Sequence, residues 1–62
     1  MNKVWHVVIK VKVGGKVVYS IHSVTEMEFG FRKAIMNAID EYYERKGTLS
    51  TDYTFEIYEG PA

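Results

Sequence analysis

The two histidines, His6 and His22, form the one polar constellation in the sequence whose side chains could do chemistry. Each lies in a run of alternating apolar and polar residues, which predicts a β-strand with the histidine on its polar face. We expect a hairpin that places His6 opposite His22, with Glu56 of a third strand nearby. Imidazoles and carboxylates bind transition metals, and imidazoles change charge between about pH 5 and 8. His6 and His22 are therefore weak candidates for a metal site; the alternative is that both are ordinary half-exposed strand residues.

Signatures of enzymes are absent from the sequence. Gly14-Gly15 joins two predicted strands and leads into no helix, so it does not match a phosphate-binding loop. The patterns H-E-x-x-H and G-x-S-x-G do not occur, and no paired carboxylates fall in a plausible cleft. A domain of 62 residues also has little volume for a buried pocket. We expect no enzymatic activity, no catalytic residues and no cofactor.

Basic side chains gather at one end of the predicted fold: Lys10, Lys12 and Lys16 at the hairpin tip, and Arg45 and Lys46 at the end of the helix. Such a tip could contact phosphates, with Tyr58 and Trp5 as stacking groups, which makes nucleic-acid binding an alternative function. The eight Lys and Arg residues balance eight Asp and Glu residues, a composition unlike that of general nucleic-acid binders. The other interpretation is solvated charge placed to suit the helix dipole.

The element expected to organise the chain is a helix over about 25–46. Thr25 with Glu28 matches a capping box, as does Ser23 with Glu26, and Gly47 supplies a C-terminal stop. One face repeats with the helical period: Met27, Phe31, Ala34, Ile35, Ala38, Ile39 and Tyr42. We expect this face to be buried against the sheet.

A second apolar stripe on the same helix consists of Phe29, Met36 and Tyr43. At about 100° per residue these side chains point away from the first face. A helix on a small sheet needs an apolar arc only a little wider than about 100°, so the stripe exceeds what packing requires. We predict a protein interface here, with Arg32 beside it; the alternative is that the helix rolls and buries more of its flank.

Strands are predicted at about 3–13, 16–24 and 52–59, followed by a frayed tail. The inward residues of the first strand are Trp5, Val7, Ile9, Val11 and Val13, and those of the third are Tyr53, Phe55 and Ile57. The resulting fold class is α+β: a single β-β-α-β domain over 1–62, with one helix on a three-stranded antiparallel sheet of order 2-1-3. The order 1-2-3, which contains a parallel pair, is the alternative.

The connection between the first two strands is expected to be a three-residue loop, Val13-Gly14-Gly15, with a bulge. A two-residue turn would direct Tyr19 and Ile21 away from the apolar face of the first strand. The three-residue loop pairs Val11 with Val17, Ile9 with Tyr19, and Val7 with Ile21.

The open face of the predicted sheet is half apolar. Val4, Val8, Val18 and Tyr58 join the histidines on a surface that would be mostly polar if it faced water alone. These four residues are further interface candidates, although valine on an outer face also simply favours strands.

Self-association would help a domain of this size, because small chains bury a low fraction of their surface. We predict a homodimer, formed either along Phe29, Met36 and Tyr43, which we favour, or by stacking of the open sheet faces through Val4, Val8 and Val18. The sequence has no cysteine, no secretion signal and no apolar run of membrane-spanning length, so a cytoplasmic location and no membrane partner are expected.

The size, the order of elements and the spare apolar surface resemble small host-directed proteins of phages, which bind and inhibit bacterial machinery. The resemblance lies in organisation alone and transfers no site residues. It implies a non-catalytic inhibitor or adaptor that binds a host protein. A self-assembling or engineered domain is another alternative, although Gly30 inside the predicted helix and the Tyr42-Tyr43 pair are not idealised choices.

Overall fold

The computed structural model describes residues 3–46 and 52–62. Its elements are β1 (Lys3–Val13), β2 (Lys16–Glu26), a 3-10 turn (Met27–Phe29), α1 (Gly30–Lys46) and β3 (Tyr53–Pro61). Both strand pairs are antiparallel and the sheet order is β2-β1-β3. The predicted α+β class, the strand order and the single helix packed on the sheet are confirmed, and the order 1-2-3 is wrong.

The core lies between α1 and the sheet, centred on β1. Val7 and Ile9 are fully buried there. The rest of the buried cluster is Val11, Ile21, Ala34, Ala38 and Tyr42. Two alanines on the inner side of α1 allow the helix backbone to approach the sheet closely, which suits the β-branched side chains of β1.

The hairpin turn differs from the prediction. Gly14 and Gly15 form a two-residue turn in which both residues have positive φ, and Val13 pairs directly with Lys16. Two successive left-handed residues are the requirement of the commonest tight hairpin turn, and glycine adopts that conformation without steric cost. The preferred three-residue loop is therefore wrong.

A bulge in β2 restores the inward direction of the apolar residues. Val11 pairs with Tyr19 whereas Lys12 pairs with Val17, so Val18 is an extra residue in β2. With an unbroken register, a two-residue turn would direct Tyr19 and Ile21 outward; the bulge returns both to the inner face. The three predicted pairs are wrong, and the observed ones are Val11 with Tyr19, Ile9 with Ile21, and Val7 with Ser23.

The helix begins later than predicted, at Gly30 instead of Thr25. Thr25 and Glu26 extend β2 because they pair with β1, Glu26 lying opposite Val4. Neither predicted capping box forms: the Oγ1 of Thr25 instead accepts a hydrogen bond of 3.0 Å from the side-chain nitrogen of Asn37, which ties β2 to the middle of α1. Gly30, at φ 84°, makes the turn into the helix.

The third strand is longer than predicted at its C-terminal end. Gly60 and Pro61 pair with Val4 and Lys3 of β1, so the predicted frayed tail is wrong for these two residues. The Gly47 helix stop and the connection after it lie outside the described residues.

Candidate interaction surface

The 3-10 turn and α1 expose four large apolar side chains, which we call the helix surface. Phe29 and Met36 are each 58% exposed, Phe31 is 52% exposed and Tyr43 is 47% exposed. All three residues of the predicted second stripe, Phe29, Met36 and Tyr43, therefore lie outside the core. Arg32, expected beside the stripe, is exposed as well.

Phe31 was expected in the core, and that prediction is wrong. The reason is the position of the helix on the sheet. The helix packs on β2 and β1 and makes few contacts with β3. Phe31 lies over β1, where its ring meets Trp5 edge-on with centroids 6.4 Å apart. The flank of α1 that faces β3 is consequently left without cover from the sheet.

The inner face of β3 is likewise uncovered by α1. We call its residues Tyr53, Phe55 and Ile57 the β3 shelf. Phe55 and Ile57 are only half-buried, and Tyr53, predicted to point inward into the core, is 41% exposed. Val13, expected on the inner face of β1, is also exposed. Phe55 and Ile57 pack against the margin of the core, so the β3 shelf is an apolar strip at the edge of the sheet.

Trp5 lies where the shelf meets the core. Its indole N–H is buried and has no hydrogen-bond partner among residues 3–46 and 52–62. Within that part of the chain, the ring is held by packing against Phe31 and the core instead of by a polar contact.

The outer face of the sheet brings the two histidines together by a different geometry from the one predicted. His6 pairs with Val24, and His22 pairs with Val8, so the histidines are diagonal neighbours and the predicted direct pairing is wrong. Their rings nevertheless meet, with His6 Nδ1 lying 2.9 Å from His22 Nε2.

Three contacts hold the ring of His6. Its Nε2 lies 3.0 Å from the carbonyl oxygen of Pro61, which can only accept, so Nε2 carries a proton. In neutral His6 the Nδ1 then accepts from the Nε2–H of His22. The ring of Tyr58 stacks on His6 at a centroid distance of 4.9 Å and an angle of 10°.

Among the described residues, no third candidate ligand joins the two histidines. Glu56 lies opposite Val8 on β3. No group of three or more His, Cys, Asp or Glu side chains is placed to hold a metal ion in the described ranges. The structure thus gives His6 and His22 a mutual hydrogen bond, and His6 makes further contacts to Pro61 and Tyr58 of β3.

Gly60 is the residue that admits the ring of His6. A Cβ at this position would lie 3.0 Å from Cδ2 of His6, closer than side chains normally approach. We expect Gly60→Ala to displace the ring, to break its bonds to Pro61 and His22, and to lower the free energy of unfolding by about 1–3 kcal/mol. Urea unfolding followed by far-UV circular dichroism measures this change.

The control for this prediction removes the obstructing ring. In a His6→Ala background the same Gly60→Ala change should cost far less, because the nearest remaining atom is Cε2 of Tyr58, at an ordinary contact distance of 3.6 Å. Equal costs in the two backgrounds would show that the strain lies in the backbone and not in the contact with His6.

The predicted interface on the outer sheet face is only partly available. Val4 is 3% exposed and Val8 is half-buried. These two residues therefore offer little apolar surface for the predicted stacking of sheet faces. Val18, the extra residue of the bulge, is 60% exposed and Tyr58 is 46% exposed. Val24 is also exposed on this face. The sequence could have identified it, because alternation from the inward residue Ile21 places His22 and Val24 on the outer face.

The basic end of the molecule is more dispersed than the sequence suggested. Lys10 and Lys16 are exposed, whereas Lys12 is half-buried. Lys46 places its Nζ 4.3 Å from the centre of the Tyr19 ring, and Arg45 forms an ion pair of 3.4 Å with Glu41. These local contacts account for the two helix-terminal cations without a bound phosphate.

Comparison of the chain with protein-family models, with curated proteins and with solved structures finds no match. Among the described residues, no helix combines the length and the apolar character needed to cross a membrane. Function is therefore inferred from the surfaces of the chain itself.

Proposed function

We propose that this protein is a non-catalytic protein-interaction module that binds another protein through the helix surface, extended by the β3 shelf. The observation that carries the proposal is the exposure of four large apolar side chains: Met36 and Tyr43 on the side of α1 away from the core, Phe31 on the side that faces β1, and Phe29 in the 3-10 turn. Single exposed apolar residues are ordinary on a protein surface, but several large ones along one short segment favour an interaction site.

The composition of this surface also supports protein binding. Phenylalanine, tyrosine, methionine and arginine are enriched at the centres of protein interfaces, where Lys and Glu are depleted. The helix surface contains the first three types, and the exposed Arg32 directly follows Phe31 in α1. Met36 is an unbranched side chain that adapts its shape to a partner.

The organisation of the chain favours an inhibitor or adaptor over a catalyst. A small domain with an exposed apolar surface acts by occupying a site on its partner, as in the phage proteins that the chain resembles in size and element order. A cytoplasmic site of action belongs to the same proposal.

Site-specific photo-crosslinking tests the proposal. A benzoylphenylalanine at Met36 or Tyr43 should form a covalent adduct with one and the same foreign protein in an extract of the source cell. The matched control carries the crosslinker at Thr54, which is exposed on the other side of the sheet. Adducts from Thr54 alone, or the same adducts from all three positions, would contradict binding through the helix surface.

A further inference from the structure

The two edges of the sheet are protected to different degrees. Any edge strand presents unpaired backbone N–H and C=O groups, and natural proteins shield them with charges, prolines or short strands. The β3 edge carries Glu56 and Glu59, both exposed, and ends in Pro61, which has no N–H to donate. This edge is unsuited to pairing with another strand.

The β2 edge lacks the same protection. β2 is 11 residues long, and between Lys16 and Glu26 it contains no Lys, Arg, Asp, Glu or Pro. The bulge at Val18 bends only its hairpin end. The remaining segment, 19–25, is regular and rich in residues that favour strands. A long, uncharged and regular edge of this kind is a site for strand addition.

We propose that residues 19–25 of β2 pair antiparallel with the same residues of a second copy of this chain, which joins the two sheets into one of six strands. Antiparallel pairing about a two-fold axis is self-complementary, as a symmetric dimer requires. It also sets the Lys16 end of each β2 beside the Glu26 end of the other, so unlike charges meet at both ends of the new pair. The proposal stands apart from the helix surface.

The position of α1 fits this arrangement. A register centred on one residue keeps the inner faces of both sheets on the same side, so the two helices lie on that side together. The flank of α1 nearest β2 is marked by the bond from Asn37 to Thr25. At about 100° per residue this flank also carries Lys33, Glu41 and Glu44.

Polar flanks of the two helices therefore face one another across the two-fold axis. Because the helices run antiparallel, the Lys33 end of one lies toward the Glu44 end of the other, which adds charge complementarity. Met36 and Tyr43 point away from this flank, so the dimer leaves the helix surface free and presents it twice. This differs from both dimer routes expected from the sequence.

The sheet supplies a matched pair of variants to test the proposal. Ser20 on β2 and Thr54 on β3 are both exposed, and both lie directly opposite Lys10, on its two sides. Ser20→Lys and Thr54→Lys thus add the same charge beside the same lysine at opposite edges. Lysine on an edge strand opposes strand addition.

Sedimentation equilibrium across micromolar to millimolar concentrations should show a dimer for the wild type and for Thr54→Lys. Ser20→Lys should raise the dimer dissociation constant at least about tenfold. A monomeric wild type, or equal weakening by the two lysines, would overturn the proposal. Loss of the dimer in Met36→Ser with Ser20→Lys unaffected would overturn it in favour of a dimer through the helix surface.

Amide hydrogen exchange of the wild type decides the matter without any variant. Exchange in residues 19–25 should slow as the protein concentration rises, and exchange in 53–59 should not change. Concentration-independent exchange in β2 of a sedimenting dimer would also overturn the pairing.

Discussion

Replacing Phe29 and Met36 with serine in one variant is expected to abolish partner binding while the domain stays folded. Both side chains are 58% exposed, so their loss removes little buried area from the monomer and should change the free energy of unfolding by about 1 kcal/mol or less. In a complex, fully burying each of them contributes about 1.5–3 kcal/mol. The double change should therefore weaken binding roughly 100-fold or more.

The matched control for this variant replaces Lys33 and Glu44 with serine. Both residues are exposed on α1 away from the helix surface, and the double change leaves the net charge unaltered. Urea unfolding and isothermal titration with the crosslinked partner should show near-native stability for both variants, and near-native affinity for the control alone. A loss of more than about 2 kcal/mol of stability in the Phe29 and Met36 variant would place these residues in the core.

Ile9→Ala is expected to unfold a large fraction of the protein at 25 °C. Ile9 is fully buried at the centre of β1, beneath α1 and between the two outer strands. Truncating such a residue costs about 2–5 kcal/mol, and a domain this small has a total stability on the order of 3–5 kcal/mol. Far-UV circular dichroism and urea unfolding measure the effect.

Val13→Ala, in the same strand, is the companion variant. Val13 is 65% exposed, so its truncation should change stability by less than about 0.5 kcal/mol. Similar losses in both variants would contradict the placement of the core at the middle of β1.

The facing of the strands was predictable because it depends on local alternation, and the order 2-1-3 was predictable because it keeps both strand pairs antiparallel. Val7, Ile9 and Ile21 follow a period of two, and each is buried as predicted. The register was not predictable by the same argument. A single extra residue in β2, Val18, lets a two-residue turn direct Tyr19 and Ile21 inward. Nothing in its residue type distinguishes Val18 from Val17.

The start of the helix was predicted wrongly for a different reason. Thr25 and Glu26 carry good capping chemistry, but their pairing with Trp5 and Val4 in β1 outweighs it. Long-range pairing of this kind overrides local preference, and its partner lies some twenty residues away in the sequence. Residue spacing alone does not show whether strand pairing or helix capping is the more stable at these residues.

The candidate surface was predictable in part. The spacing of Phe29, Met36 and Tyr43 placed them outside the core, where the structure has them. The exposure of Phe31 and the β3 shelf could not be foreseen, because they depend on how far α1 extends across the sheet. Helical periodicity defines the faces of a helix but not its crossing angle or its lateral position.

The most direct test of the proposed function is a map of amide chemical-shift changes when the ¹⁵N-labelled protein is titrated with its crosslinked partner. The changes should concentrate between Phe29 and Tyr43 and along β3, where the helix surface and the β3 shelf lie. Changes confined to the hairpin tip or to the outer sheet face around His6 would contradict binding through the helix surface.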